Sequence, residues 1–187
     1  MNIPVVDNGG QWTHREWRVL RELGAQSEIV PNTAAIDATK IDGIVLSGGA
    51  LNLGERAATL GRVAEWIDTI EVPVFGICLG HQFLARHFGG AVARGSPEYG
   101  RVELIVDRPD HAMFADLPTR LNVWASHNDQ VVRLPPEWLG LAHSAECPVE
   151  AMAHPRRPIW GVQFHPEVEH TDHGRQFFRR FLDLCRR

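Results

Sequence analysis

Apolar positions in the first half of the chain fall in short runs, each ended by glycine or proline and followed by a longer stretch with helical spacing. Residues 3–6 read as a buried strand that Gly9-Gly10 breaks. Over residues 12–23, Trp17, Val19, Leu20 and Leu23 follow the helical interval, and Gly24 stands where a helix stop is expected. Residues 27–30 before Pro31, and 43–46 before Ser47-Gly48-Gly49, are the next strands, and a helix is expected over about residues 56–70. Residues 72–77 form a fourth strand running into Cys78, and 79–88 a helix closed by Gly89-Gly90. This rhythm predicts an α/β fold, a mostly parallel central sheet flanked by helices on both faces.

The second half changes period. Short strands at 101–106, 121–124, 139–143, 149–153 and 159–164 are separated by Pro, Asp and Asn turns. Residues 174–187 place Phe177, Phe178, Phe181, Leu182 and Leu184 on one helical stripe, expected to pack on the sheet. No internal repeat, low-complexity tract or linker divides the sequence, so residues 1–187 read as one domain.

The 187 residues are 44% apolar, enough to bury a core of their own. Nineteen Lys and Arg against 23 Asp and Glu, a formal charge of −4, exclude binding to a polyanion by bulk charge. With no basic or apolar leader, and no apolar run near the roughly 18 residues of a membrane span, a cytoplasmic protein is expected. The three cysteines, Cys78, Cys147 and Cys185, are odd in number and far apart. That fits a reducing compartment and neither a disulfide framework nor paired zinc knuckles.

Gly76-Ile77-Cys78-Leu79-Gly80 places one of these cysteines between flanking glycines where an apolar strand meets a helix. A sharp strand-to-helix turn needs small neighbours and lifts its central side chain out at the carboxyl edge of the sheet, where open α/β folds bind ligands. The start of the following helix favours negative charge, and the free amide of Leu79 is placed to receive an oxyanion. Cys147, beside Pro148, and Cys185, in the terminal helix stripe, read as packing residues.

A thiol nucleophile needs a base. Of the ten histidines, His14, His87, His111, His143 and His154 lie in helical or turn patterns with no chemistry beside them. His165 follows the strand residues Trp160-Gly161-Val162-Gln163-Phe164, so it too projects from the carboxyl edge, and Glu167 stands two residues on, across Pro166. One ring nitrogen can face the thiol while the carboxylate fixes the other, as in a triad. A metal site at His165, Glu167, His170 and His173 is the competing reading; it is disfavoured because the strand ends at the nucleophile's edge and no second dense ligand cluster shows in the spacing, so no metal is assigned. Ser47-Gly48-Gly49 is either a turn or an anion cradle, without the Lys-Ser/Thr ending of a P-loop. Ser126-His127-Asn128-Asp129 is either an ordinary turn or a polar contact surface.

Taken together these residues resemble the class I, triad-type glutamine amidotransferase family. Its nucleophile motif is present as Gly76-Ile77-Cys78-Leu79-Gly80-His81-Gln82, its glycine loop as Leu46-Ser47-Gly48-Gly49, and its base motif as Gln163-Phe164-His165-Pro166-Glu167. The resemblance implies a flavodoxin-like α/β fold with additional short antiparallel strands. It also implies hydrolysis of L-glutamine to glutamate and ammonia through a thioester: Cys78 as nucleophile, His165 as base and acid, and Glu167 orienting His165. By position the oxyanion amides are those of Gly49 and Leu79, and Gln82 with Ser126, His127, Asn128 and Asp129 holds the amino-acid end of the substrate.

Within the family, Asp7-Asn8-Gly9-Gly10-Gln11 with His14-Arg15, Glu98-Tyr99-Gly100 and Ser126-His127-Asn128-Asp129-Gln130-Val131 are most similar to the branch that serves GMP synthesis. The resemblance implies a heterodimer partner, a separate ATP-pyrophosphatase (synthetase) subunit. That partner uses Mg-ATP, since no Ser-Gly-Gly-Val-Asp-Ser motif occurs here and no cofactor is expected in this chain. Alternatives are the glutaminase of anthranilate or aminodeoxychorismate synthesis, a stand-alone γ-glutamyl hydrolase, and a non-catalytic glutamine sensor. One departure is Ala50, where the family usually has Pro, which puts the resting state of the oxyanion loop in question.

Overall fold

A computed structural model describes residues 1–53 and 60–186. In chain order its main elements are β1 (Val5–Asp7), α1 (Thr13–Glu22), β2 (Ile29–Pro31), β3 (Ile44–Leu46), α2 (Val63–Thr69), β4 (Val74–Ile77) and α3 (Leu79–His87). Then follow β5 (Ala91–Val106), β6 (Arg120–Arg133), β7 (Leu139–His143), β8 (Ala151–Ala153), β9 (Ile159–Val162) and α4 (Gly174–Cys185). The strands form one sheet in the order β2-β1-β3-β4-β9-β8-β7-β5-β6. Pairing is parallel from β2 through β9 and antiparallel from there through β8 to β6.

The strand pleat sorts neighbouring apolar residues to opposite faces. Val5, Val45, Phe75 and Ile77 join one buried cluster with Leu20 of α1 and Phe177, Phe178 and Phe181 of α4. Val6, Ile44, Leu46 and Val74 join a second with Trp66 and Ile67 of α2 and Leu84 of α3. Helices therefore cover both faces of the parallel half, as the sequence rhythm predicts. Gly24 ends α1 with a φ of 91°, the left-handed stop expected there. No described helix is long and apolar enough to cross a membrane.

Two expectations need correction. Among the antiparallel additions, β7 and β8 are short as expected, but β5 has 16 residues and β6 has 14. The strand expected over residues 101–106 begins at Ala91 instead, and the ladder carries Gly95-Ser96-Pro97 as a register shift between Arg94 and Glu98. Likewise Ser126-His127-Asn128-Asp129 is not a turn, because these residues lie within β6, along its ladder with β5. The helix expected over residues 56–70 is observed over Val63–Thr69; residues 60–62 are described and not helical, and 56–59 lie outside the described residues. The last helix ends at Cys185, and Arg187 also lies outside the described residues.

Candidate active site

β4 and β9 are adjacent and parallel, with Ile77 paired to Val162. The main-chain ladder therefore brings Cys78 level with Gln163 and close to His165, although the two segments are far apart in sequence. Cys78 takes φ 50°, ψ −104° at the start of α3, held by its own N–H donating to the Val162 carbonyl at 2.8 Å. The turn works only with glycines around it. A Cβ on Gly76 would come within 2.7 Å of the Gly80 carbonyl carbon, and one on Gly80 would fall on the Leu46 carbonyl oxygen.

His165 is almost wholly buried. Its Nδ1 lies 2.7 Å from Glu167 Oε1, its backbone N–H donates to the Trp124 carbonyl at 2.9 Å, and Thr171 Oγ1 donates to its carbonyl at 2.6 Å. The Trp12 indole packs edge-on against the imidazole at 4.4 Å. With Nδ1 committed to Glu167, the other nitrogen is left free for the Cys78 sulfur, which lines the same cleft. Burial alone pushes the imidazole down. The Glu167 carboxylate and then the Cys78 sulfur outweigh it and hold His165 well above its ordinary value. The start of α4 locks this loop in place, since Gly174 sits so close to the Pro166 carbonyl that no side chain fits there.

That shift fixes the sign of a pH effect. The folded chain binds the His165 proton more tightly than the unfolded chain, so the pairing stabilises fully below the ordinary imidazole range of about 6.5 and loses its contribution as pH rises through the raised value. Glu167→Gln is accordingly expected to cost most stability on the acid side, with the gap to the parent closing toward alkaline pH, as thermal melts across pH would record. The same variant is expected to slow any chemistry that uses His165 by roughly a hundredfold or more.

The rest of the cleft, about 500 Å³, is lined by Cys78, His165, Gly48, Gly49, Gln82 and all four of Ser126, His127, Asn128 and Asp129. Gln82 Nε2 donates to the Asp129 carbonyl at 2.7 Å and to Gln163 Oε1 at 3.1 Å, while Gln163 Nε2 reaches the Cys78 sulfur at 3.6 Å. Gly48 and Gly49 lie directly over the nucleophile. A Cβ on Gly48 would sit 3.3 Å from His165 Cε1 and 3.5 Å from the Cys78 Cβ. Leu79 opens α3, so its amide has no partner within the helix. Of the site residues expected from sequence, all but Leu79 and Glu167 line this cleft, and Glu167 reaches it through its bond to His165. Trp12, Glu16, Arg94 and Tyr99 also line it and were not anticipated.

The ring of His127 turns away from the cleft, because residues on β6 alternate between faces, and meets Glu98 Oε2 at 3.2 Å. There Glu98, His127, Cys147 and Glu150 form a buried cluster that the spacing did not reveal. Burial, then Glu98, pushes the Glu150 carboxyl well above the carboxylate range, and Glu98 accepts from Ser144 Oγ at 2.7 Å. Burial pushes the Cys147 thiol up strongly, and burial followed by Asp42 pushes Cys185 up to about 12, in keeping with two packing cysteines. In the disfavoured metal set, His165 is engaged with Glu167, His170 stacks edge-on against Trp124, and His173 caps α4 in the left-handed region.

The model of the family Glutamine amidotransferase class-I matches residues 4–185. A glutamine-hydrolyzing GMP synthase subunit of Thermoplasma acidophilum is 49% identical over 99% of this chain and 93% of its own length. The protein of the same name from Thermococcus kodakarensis is 49% identical over 98% of each chain. Among solved structures, a GMP synthase subunit from Thermoplasma acidophilum superposes with a TM-score of 0.91 at 48% identity, covering 100% of this chain and 94% of that one. A glutamine amidotransferase from Thermotoga maritima shares the fold, with a TM-score of 0.77 at 21% identity, over 98% of this chain and 81% of that one.

Proposed function

Since this chain belongs to the class I glutamine amidotransferase family, we propose that it is the glutaminase subunit of a two-subunit GMP synthase. It hydrolyses L-glutamine and supplies ammonia to a separate ATP-pyrophosphatase subunit, which uses Mg-ATP to aminate XMP. The observation that carries the reading is that Cys78 and His165 line one cleft while Glu167 holds the His165 ring from behind at 2.7 Å. Relatives named as glutamine-hydrolyzing subunits of GMP synthase, matched over nearly their whole length, support the choice of partner.

In this mechanism the Cys78 thiolate attacks the side-chain amide carbon of glutamine, and negative charge gathers on the carbonyl oxygen. The amides of Gly49 and Leu79 receive that oxyanion. Imidazolium is the form that Glu167 favours in His165, and it gives its proton to the departing nitrogen, so that ammonia leaves and a thioester remains. Neutral His165 then takes a proton from water, which attacks the thioester; collapse releases glutamate and restores the thiolate–imidazolium pair. Glu167 keeps Nδ1 protonated and the ring oriented throughout. Gln82 fixes the Asp129 carbonyl, and with it the strand wall that holds the amino-acid end of the substrate.

Mixing this chain with a GMP synthase ATP-pyrophosphatase subunit, glutamine, XMP and Mg-ATP is expected to yield GMP and one glutamate per GMP. No GMP here, together with product from a chorismate-using synthetase, would move the chain to another branch of the family. Glutamate release that no synthetase changes would favour a stand-alone hydrolase.

A further inference from the structure

Behind the strand wall of the cleft, four side chains from separate segments meet in the interior. Glu98 of β5, His127 of β6, and Cys147 and Glu150 from the segment before β8 each bring one donor atom to a place where all four atoms lie within 4.8 Å of one another. Glu150 and Cys147 are fully buried, and His127 and Glu98 are 5% and 6% exposed.

The donors are unspent. Neither oxygen of Glu150, and neither nitrogen of the His127 ring, has a hydrogen-bond partner among the described residues. His127 Nε2 and Glu98 Oε2 stand 3.2 Å apart but not in line for a hydrogen bond, so Glu98 Oε2 is unsatisfied as well. Buried polar atoms without partners destabilise a fold, and here those of three side chains lie within reach of a single ion. Their supports, by contrast, are fixed. Ser144 Oγ donates to Glu98 Oε1 at 2.7 Å and accepts the Cys147 N–H at 2.9 Å, orienting one donor group and pinning the backbone of another. The Glu150 N–H donates to the Ala142 carbonyl at 2.9 Å, and the Glu150 carbonyl accepts the Gln163 N–H at 2.8 Å.

We infer that Glu98, His127, Cys147 and Glu150 form a structural zinc site. A sulfur and an imidazole nitrogen among the donors suit zinc and not magnesium or calcium, which seek oxygen. Four protein donors with no position left over are the arrangement of a structural zinc, not a catalytic one. Donors around a tetrahedral zinc stand roughly 3.3–3.6 Å apart, so these atoms draw in by about 1 Å, within the range of side-chain rotation. Binding forms a zinc–sulfur bond and expels the Cys147 thiol proton to solvent, which leaves a metal-bound thiolate. Cys147 is then as unavailable for other chemistry as it is as a buried thiol. The ion clamps β5 and β6 to the segment before β8 and, through the Glu150–Gln163 backbone bond, to the chain that leads from β9 to His165. No step of the proposed glutaminase reaction passes through it, and the inference does not depend on that reaction.

The test uses the full chain made in zinc-supplemented, cobalt-supplemented and metal-depleted media and purified without chelator. Elemental analysis is expected to find about one zinc per chain. The cobalt form is expected to show the visible absorption of a four-coordinate ion with a thiolate-to-cobalt band. Cys147→Ser should remove that band, and Cys147→Ser and the nearly isosteric Glu150→Gln should each lower the metal content about tenfold or more. Cys78→Ala and Cys185→Ser should keep both. The metal-depleted chain is expected to melt about 5 °C or more below the zinc form. Less than a tenth of an equivalent of metal in the parent overturns the inference, and the two carboxyl groups then share a proton instead. Metal retained in both the Cys147 and Glu150 variants and lost in Cys78→Ala also overturns it, since the ion would then sit on the proposed nucleophile. Equal melting of the zinc and metal-depleted forms would remove the clamp.

Discussion

Cys78→Ala is expected to release neither glutamate nor ammonia from glutamine, its rate lower by about four orders of magnitude or more, while its melting curve stays close to the parent's. No other thiol can substitute. Cys147 and Cys185 line no part of the cleft and are held as neutral thiols by their surroundings. The fold should survive because the elbow is held by backbone: the residue 78 N–H still donates to Val162, and its carbonyl still accepts from the Gln82 N–H at 3.0 Å. Alanine is strained at φ 50° no less than cysteine is, so the strain is unchanged. Glutamate assay and thermal melts on the same preparation check both halves. Undiminished hydrolysis by a folded variant would remove Cys78 from the reaction.

The second large effect is structural. Gly80→Ala is expected to destabilise the chain by about 3 kcal/mol and to abolish activity with it. The added methyl would fall on the Leu46 carbonyl oxygen and within 2.8 Å of the Leu46 Cβ, where β3 and α3 are in direct backbone contact. Neither side can retreat. β3 is paired on both edges, and moving α3 would carry Leu79 and Cys78 away from Gly49. Gly89→Ala is the matched control. That glycine has φ 89°, and a methyl there would meet only Pro136 Cδ at 3.7 Å, so the cost is the backbone strain alone, about 1 kcal/mol. Urea denaturation of the two variants separates crowding from strain. Equal losses would mean that the elbow tolerates a side chain at position 80.

The part of the site that could be read in the sequence is the part made locally. Cys78 with its glycines, and His165 with Glu167 two residues on, each sit at the end of one short apolar strand, so residue type and strand end together predicted where the side chains go. Their meeting depends only on β4 lying beside β9. The residues that sequence reading misplaced or missed depend on partners brought from elsewhere. β5 begins ten residues before the strand expected at residue 101, because the β5–β6 ladder carries Gly95-Ser96-Pro97 as an irregularity. Glu98 and Glu150 are unremarkable in sequence and meet in a buried cluster only because β5, β6 and the segment before β8 converge. Glu16 did leave a signal: an acid on the same helical stripe as Val19 and Leu20.

The strand order holds a consequence for when this protein becomes competent. β6 lies at the edge of the sheet, with β8, β7 and β5 between it and β9. It nevertheless curls back so that the Trp124 carbonyl takes the N–H of His165 and the Asp129 carbonyl takes an amide proton of Gln82. Base and substrate wall are thus fastened by the farthest strand to dock, through contacts of high sequence separation that form slowly in folding. Were β6 detached, the chain would keep its thiol but lose the bonds that hold the imidazole and the substrate wall, so competence for the proposed chemistry depends on the sheet being complete from edge to edge.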